Sequence, residues 1–313
     1  MSGSKLVSVI VPCYNQARFL SEAIESILQQ EYSMLEVIVI DDGSSDDTAG
    51  VATSYRDVRF IRQSNQGLSK ARNKGLIESR GEYVTFLDAD DRLLPRAIET
   101  GVRALDQNPD WALVYGHYRY IDANGDILPV PARRPVIIED SYEGLLRHNF
   151  ICMHGAVMYR RAVLELVGGF NPSLRFCEDY DLYLRIARLF PIGSHDELVA
   201  EYRIHGQAAS RNHAGMLKTG IKVLHSQCHY IKENERYRRA YEEGLRAWRE
   251  GYGNWLVEDI RARIHERKEW MRLAEDLLTL LLYYPRGFTL HGFRKMKYAF
   301  TKYLWITLLI MLP

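Results

Sequence analysis

Short runs that are apolar almost throughout, Leu6–Val11, Leu35–Ile40, Val58–Ile61 and Tyr83–Leu87, alternate with helical periodicities across residues 1–110. A strand with no polar face cannot leave one side in water, so such runs demand a sheet covered on both faces. The segments between them supply the cover. In Ala17–Gln29, Phe19, Leu20, Ala23, Ile24, Ile27 and Leu28 fall on one helical face. Thr48–Tyr55, Leu68–Ser79 and a helix opened by Pro95 and running to Leu105 continue the alternation, with Ala112–Tyr120 as a further strand. The expected fold class is α/β, a mostly parallel sheet flanked by helices. The pattern loosens beyond residue 120. Ala156–Tyr159 reads as a strand, Asp179–Leu189 as a helix, and from Ala214 onward only helical patterns rich in Arg, Glu and Tyr remain. The expected organisation is a domain at 1–213 and an all-helical C-terminal region at 214–313.

Charge divides at the same place. The whole chain carries 41 Lys+Arg against 40 Asp+Glu, which gives no global field for binding a polyanion. Residues 214–313 hold 18 basic and 11 acidic side chains, whereas residues 1–213 hold 23 and 29. The four cysteines show no CxxC spacing and suit a reducing compartment. His225, Cys228 and His229 share a helical turn, but a fourth zinc ligand is missing. No apolar run approaches the roughly 20 residues of a membrane-spanning helix. A cytoplasmic location is expected.

Ligands of open α/β sheets bind beyond the carboxyl ends of the strands. Three polar clusters occupy such ends: Pro12-Cys13-Tyr14-Asn15, Asp41-Asp42-Gly43-Ser44 and Asp88-Ala89-Asp90-Asp91. Carboxylates of an Asp-x-Asp at a sheet rim suit a hard divalent cation whose other positions are filled by phosphates and water. Such a cation assists a departing diphosphate. Consecutive strand-end residues point opposite ways, so one of Asp41 and Asp42 faces the crevice. That carboxylate fits a uracil N3–H, and Tyr14 offers a face for the ring. Arg72 suits a phosphate or a base carbonyl. Neither GxGxxG nor GxxxxGK(S/T) is present.

These segments together resemble the family 2 glycosyltransferases of GT-A fold, of the inverting, bacterial surface-polysaccharide type. The resemblance runs through Val9–Asn15, Val39–Asp46, Asn65–Asn73, Phe86–Asp91, Gly168-Gly169-Phe170, Cys177–Asp181 and Tyr202–His205. It implies sugar transfer from a nucleotide-diphosphate donor, with UDP-sugar the first expectation, assisted by Mn²⁺ or Mg²⁺. The acceptor would be a saccharide or lipid-linked molecule in cell-surface polysaccharide or glycolipid synthesis. The nucleotide-binding candidates are Pro12, Tyr14, Asn15, Asp41, Asp42, Arg72, Asp88 and Ala89. The resemblance places Asp90 and His205 at the metal and Asp179 as catalytic base, with Glu178 as the fallback and Asp181 third. The competing readings are a nucleotide-sugar-binding scaffold without activity and a nucleotidyltransferase on a similar sheet. The latter would want a Gly-rich basic loop after the first strand, where Pro12–Asn15 stands.

The resemblance does not reach the C-terminal region. No acid follows Asp276, while Arg286, Arg294, Lys295, Lys297 and Lys302 interleave with aromatic residues before an apolar end, Leu308–Leu312. This mixture is expected to rest on an anionic membrane surface, peripheral to the inner face of the cell membrane. The alternative is packing on the catalytic domain or a homodimer interface.

Overall fold

A computed structural model describes residues 5–132, 139–206, 209–266 and 269–289. It divides into two compact units, with the boundary between Ala208 and Ala209. The first unit holds an eight-stranded sheet in the order β3-β2-β1-β4-β7-β6-β8-β5. Its strands are β1 (Val7–Cys13), β2 (Leu35–Asp41), β3 (Val58–Arg62), β4 (Tyr83–Phe86), β5 (Arg92–Leu93), β6 (Leu113–Ile121), β7 (Val157–Arg160) and β8 (Gly193–Arg203). The helices are α1 (Ala17–Leu28), α2 (Thr48–Thr53), α3 (Leu68–Glu78), α4 (Ala97–Gln107), α5 (Ser141–Arg147), α6 (Arg161–Leu166) and α7 (Glu178–Ala187). The α/β expectation, a mostly parallel sheet flanked by helices and followed by a helical region, is the architecture observed.

Every residue of β1 is buried, as its uninterrupted Val-Ser-Val-Ile-Val run requires. It pairs in parallel with β2 on one side and β4 on the other. The chain steps outward from β1 to β2 and β3, then returns across β1 to place β4. This reversal opens a crevice at the carboxyl ends of β1 and β4, the standard ligand position of such sheets. Helix α1 buries Phe19, Leu20, Ala23, Ile24 and Ile27 over the strands. Complete burial of one such side chain contributes about 1.5–3 kcal/mol.

The far half of the sheet departs from the sequence pattern. β7 runs antiparallel to both neighbours, β4 and β6. β8 is the longest strand and pairs in parallel with β6 and antiparallel with the two-residue β5. Its first half carries Asp196 and Glu197 and is partly exposed, so no continuous apolar run advertises it. β8 matters because its end, Arg203, delivers His205 to the site.

The second unit is helical: α8 (His213–Ser226), α9 (Cys228–Ile231), α10 (Glu235–Glu266), α11 (Trp270–Tyr283) and α12 (Pro285–Gly287). α8, α10 and α11 pack on one another. Gly220 of α8 lies directly under the indole of Trp248, where a side chain would collide. His225 Nδ1 and Cys228 Sγ both meet the Tyr241 hydroxyl, at 2.7 and 3.1 Å. No described helix is long and apolar enough to cross a membrane. Of the tail residues singled out above, only Arg286 is described; Arg294, Lys295, Lys297, Lys302 and Leu308–Leu312 lie outside the described residues.

The turn after β2 supplies a test of the local geometry. Gly43 has φ +80°, and an added Cβ would stand 2.8 Å from the Asn65 backbone nitrogen. Gly43→Ala combines left-handed strain with a collision against backbone, and is expected to cost about 1–3 kcal/mol in urea unfolding. An unchanged midpoint would show that this turn is not held as described.

Candidate functional site

The polar clusters meet because their strands are neighbours. Cys13 and Asp41 are partners in the β1–β2 register, and the Asp42 N–H donates to the Cys13 carbonyl at 2.8 Å. The Leu87 N–H donates to the Ile10 carbonyl, so the 88–91 turn leaves the sheet beside the end of β1. Asn15 adopts φ 53° and ties the first two turns together: its N–H donates to Ser44 Oγ, and its side-chain oxygen accepts from the Ser45 N–H. Asn or Asp tolerates this left-handed backbone better than other residues carrying a Cβ. Tyr14, next to it, is 49% exposed.

Asp41 is fully buried. Its Oδ1 accepts from the Ser44 N–H, and Oδ2 has no hydrogen-bond partner in the protein, with Arg62 Nε 3.4 Å away. Asp42 receives the 63–67 loop. Its Oδ1 accepts from Gln63 Nε2 and the Gln66 N–H, and its Oδ2 from the Gly67 N–H. Asp42 therefore shapes the start of α3, the helix that carries Arg72.

Arg72 is 2% exposed. Nη2 donates to Asp88 Oδ1 at 2.7 Å and Nη1 to Glu178 Oε1 at 2.6 Å, while Nε is buried with no partner. Its guanidinium carbon lies 5.3 Å from the Phe170 ring centroid. Burial alone would lower the Arg72 pKa, but the Asp88 and Glu178 carboxylates outweigh it and hold the pKa above its ordinary value. Two residues of α3 reinforce the connection. Asn73 exchanges paired hydrogen bonds with the Phe170 backbone, 2.8 Å each, and Ser69 Oγ donates to the Leu174 carbonyl. The loop 168–178 is thereby held against α3, and it delivers the N-terminus of α7.

α7 opens with three acids in its first turn, where its dipole favours ionised carboxylates. They have different surroundings. Glu178 is occupied by Arg72, and Asp181 by Arg185, whose Nε lies 2.8 Å from Asp181 Oδ2. Asp179, half-buried, has no ion-pair partner among the described residues; its Oδ1 accepts from the adjacent Tyr180 N–H. Burial and the neighbouring Glu178 carboxylate push its pKa up to about 7, against the opposing pull of Arg72. A carboxyl group poised near neutrality can take a proton at physiological pH.

At the other flank of the 88–91 turn, His205 Nε2 lies 2.7 Å from Asp90 Oδ2. Burial, then the nearby Asp88 carboxylate, raises the Asp90 pKa, with His205 opposing. No group of three or more His, Cys, Asp or Glu among the described residues is arranged as a metal cage. One carboxylate and one imidazole, with Asp88 close by, nevertheless match a hard divalent cation that draws its remaining ligands from a diphosphate.

The family model of Glycosyl transferase family 2 matches residues 8–168, which hold the three strand-end clusters. The chain belongs to glycosyl transferase family 2. An "Uncharacterized glycosyltransferase" of Rickettsia felis is 35% identical to it over 240 residues, 74% of this chain and 39% of the relative. Chondroitin synthase of Escherichia coli is 32% identical over 209 residues, 66% of this chain and 30% of the relative. The family 2 chain thus spans only about a third of the length of these two curated relatives. Staphylococcus aureus TarS in complex with UDP-GlcNAc superposes with a TM-score of 0.63 at 19% identity, covering 82% of this chain and 81% of that one. A mannosyltransferase of Pyrobaculum calidifontis in complex with GDP-Man and Mn²⁺ gives 0.58 at 21%, covering 91% and 82%. These likenesses establish the GT-A-type fold.

In this family 2 chain the structure gathers the residues selected from the sequence into three groups. Asn15 joins the Asp41–Ser45 turn; Arg72 joins Asp88 and Glu178 and stands beside Asp179; Asp90 joins His205. Pro12, Ala89 and Arg72 are all buried. Asp91 and Arg203, which lie in segments of the resemblance, and Glu22 had no role assigned from the sequence. Asp91 Oδ1 accepts from the Arg203 N–H, and Glu22 Oε2 accepts from Arg203 Nη2. An arginine two residues before His205 was the available signal.

Removing Arg72 strands Glu178, whose side chain is 9% exposed, whereas Asp88, at 34%, can turn to water. Arg72→Met is expected to cost about 3–5 kcal/mol by urea unfolding. The Arg72→Met/Glu178→Gln double variant should recover part of that loss, and strict additivity would contradict the pairing.

Proposed function

We propose that the chain is an inverting glycosyltransferase using a nucleotide-diphosphate sugar, a UDP-sugar first, and a hydroxyl of a saccharide or lipid-linked acceptor in cell-surface polysaccharide or glycolipid synthesis. The observation that carries this reading is the Asp179 carboxyl, without an ion-pair partner among the described residues and with a pKa of about 7, in the helix turn that Arg72 ties to the 88–91 loop. Inversion by direct displacement needs one base to take the acceptor proton as its oxygen attacks the anomeric carbon. Asp179 is assigned that role. The alternatives weaken on the same geometry, since Glu178 and Asp181 are each ion-paired with an arginine.

The donor nucleotide is assigned to the crevice beyond β1, β2 and β4, with Tyr14 as the stacking face. Asp42 already accepts three donors and has one acceptor direction left on Oδ2, which suits the single N3–H of uracil better than the paired donors of guanine. The UDP-GlcNAc held by TarS supports this preference. Asp90 and His205 would hold a divalent cation, Mn²⁺ or Mg²⁺, as the Mn²⁺ in the mannosyltransferase neighbour supports. When bound, such an ion neutralises charge on the leaving diphosphate. Arg72 holds Asp88 at the nucleotide and Glu178–Asp179 at the acceptor, so the two substrates meet across one buried cation.

Asp179→Asn is expected to lower kcat by about 10²–10⁴ while the UDP dissociation constant stays within about twofold. Wild-type kcat/KM should rise with pH through about 7, because the base works only when deprotonated. Equal loss of UDP binding in Asp179→Asn would make this a nucleotide or structural residue. A screen of UDP-, GDP- and dTDP-sugars with Mn²⁺ tests the donor assignment.

We also propose that the basic and aromatic stretch after Asp276 holds the enzyme at an anionic lipid surface, peripheral to the inner face of the cell membrane. Each basic residue near such a surface contributes about 1 kcal/mol. The full chain should co-sediment with anionic vesicles at low salt, and the Lys295→Glu/Lys297→Glu variant should bind them at least about tenfold more weakly. Equal binding by both chains, or none by the wild type, would reject docking through this segment.

A further inference from the structure

Arg203 ends β8 and is 1% exposed. Its Nε donates to the Asp90 carbonyl at 2.7 Å, and its backbone N–H donates to Asp91 Oδ1 at 2.8 Å. Nη2 donates to Glu22 Oε2 of α1 at 2.6 Å, while Nη1 lies 3.3 Å from the carbonyls of Asp122 and Ala123. The guanidinium carbon stands 4.9 Å from the Phe19 ring centroid, and that ring packs 5.2 Å from the imidazole of His205. One side chain therefore pins the 88–91 turn, the β8 end that carries His205, and α1. Asp90 is held at its own carbonyl and, through Asp91, at the next residue. His205 is supported on its ring face by an aromatic that Arg203 covers.

We propose that Arg203 is a positioning residue that sets the Asp90–His205 pair for the metal–diphosphate part of the donor, acting from behind the site. This rests on the nucleotide-sugar reading above. A planar guanidinium with fixed donor directions can hold a carbonyl and a carboxylate on different elements at once. A lysine ammonium at the same place reaches only one of them at full strength. Loss of the Arg203 head group leaves much of its surroundings satisfied. Glu22 keeps Arg92, whose Nη1 lies 3.0 Å away, and Asp91 keeps the backbone N–H of residue 203. The consequence falls on placement of Asp90 and His205 more than on folding. Groups that orient metal ligands from outside typically change metal affinity by about 10–100-fold when removed.

The test is calorimetric titration of UDP into the full-length chain with Mn²⁺ and with EDTA, accompanied by the Mn²⁺ concentration needed for half-maximal transfer. Arg203→Met should lose at least about tenfold in the Mn²⁺-dependent gain in UDP affinity, with UDP affinity in EDTA and acceptor KM within about twofold of wild type. Arg203→Lys should fall between the two. Glu22→Gln, which weakens the anchor of Arg203 at a side chain 38% exposed, should shift the Mn²⁺-dependent affinity the same way by a few-fold and keep the melting transition. A folded Arg203→Met chain that binds Mn²⁺ and UDP as the wild type does would overturn the assignment. If Arg203→Met does not fold, an unchanged Glu22→Gln titration overturns it instead. Failure of the wild-type chain to bind UDP at all would overturn the reading of the site itself, and the role of Arg203 with it.

Discussion

A guanidinium taken out of water must have its charge answered inside the protein, and Arg72 has it answered by Asp88 and Glu178. Those partners come from segments with different origins in the fold: one leaves a central parallel strand, the other begins a helix some ninety residues later. The pairing makes the position of α7 dependent on the position of the β4 turn. It also decides the chemistry along the first turn of α7. Because Arg72 spends its charge on Glu178 and Arg185 on Asp181, Asp179 remains the acid whose environment raises its pKa towards neutrality. Two arginines thus give the three acids of that turn different surroundings.

A second buried arginine does comparable work on the other side of the 88–91 turn. Arg203 holds the Asp90 carbonyl through its guanidinium and the Asp91 carboxylate through its backbone N–H, Arg72 holds the Asp88 carboxylate, and between them the turn is held from both flanks. The turn has no regular structure of its own, and its carboxylates repel one another. Asp91 shows the strain of that arrangement, its pKa raised well above the ordinary range by burial and by Asp90 and Asp88, with Arg203 opposing. Each of the three acids in these four residues has its own partner: Asp88 the Arg72 guanidinium, Asp90 the His205 ring and Asp91 the Arg203 N–H. Placement by rigid helices and strands gives such a site the precision that a free loop lacks.

The near half of the sheet was legible in the sequence because Val and Ile runs buried on both faces leave little other structural choice, and β1, β2 and β4 lie where those runs stand. The strand-end clusters followed from that placement, and the structure brings Asp90 and His205, far apart in the chain, within hydrogen-bond distance. The far half was not legible. β8 begins Gly-Ser-His-Asp-Glu and is defined by pairing with β6, a long-range relation that local pattern does not carry. α5 lies in a stretch with no clear sequence pattern. Arg203 was invisible for a related reason: arginines are usually exposed, and its acceptors at positions 22, 90 and 122–123 are scattered along the chain. Arg72 was selected from the sequence for a phosphate or a base carbonyl; the structure shows it buried between Asp88 and Glu178.

In the proposed mechanism the donor nucleotide and the base occupy one crevice, with Arg72 between them. A crystal structure of the full-length protein with Mn²⁺ and a UDP-sugar measures this most directly. The uracil is expected on Tyr14, the diphosphate at Asp90 and His205, and the Asp179 carboxylate on the face of the anomeric carbon opposite the leaving diphosphate. A nucleotide bound away from the ends of β1, β2 and β4, or an anomeric carbon facing away from Asp179, would contradict it.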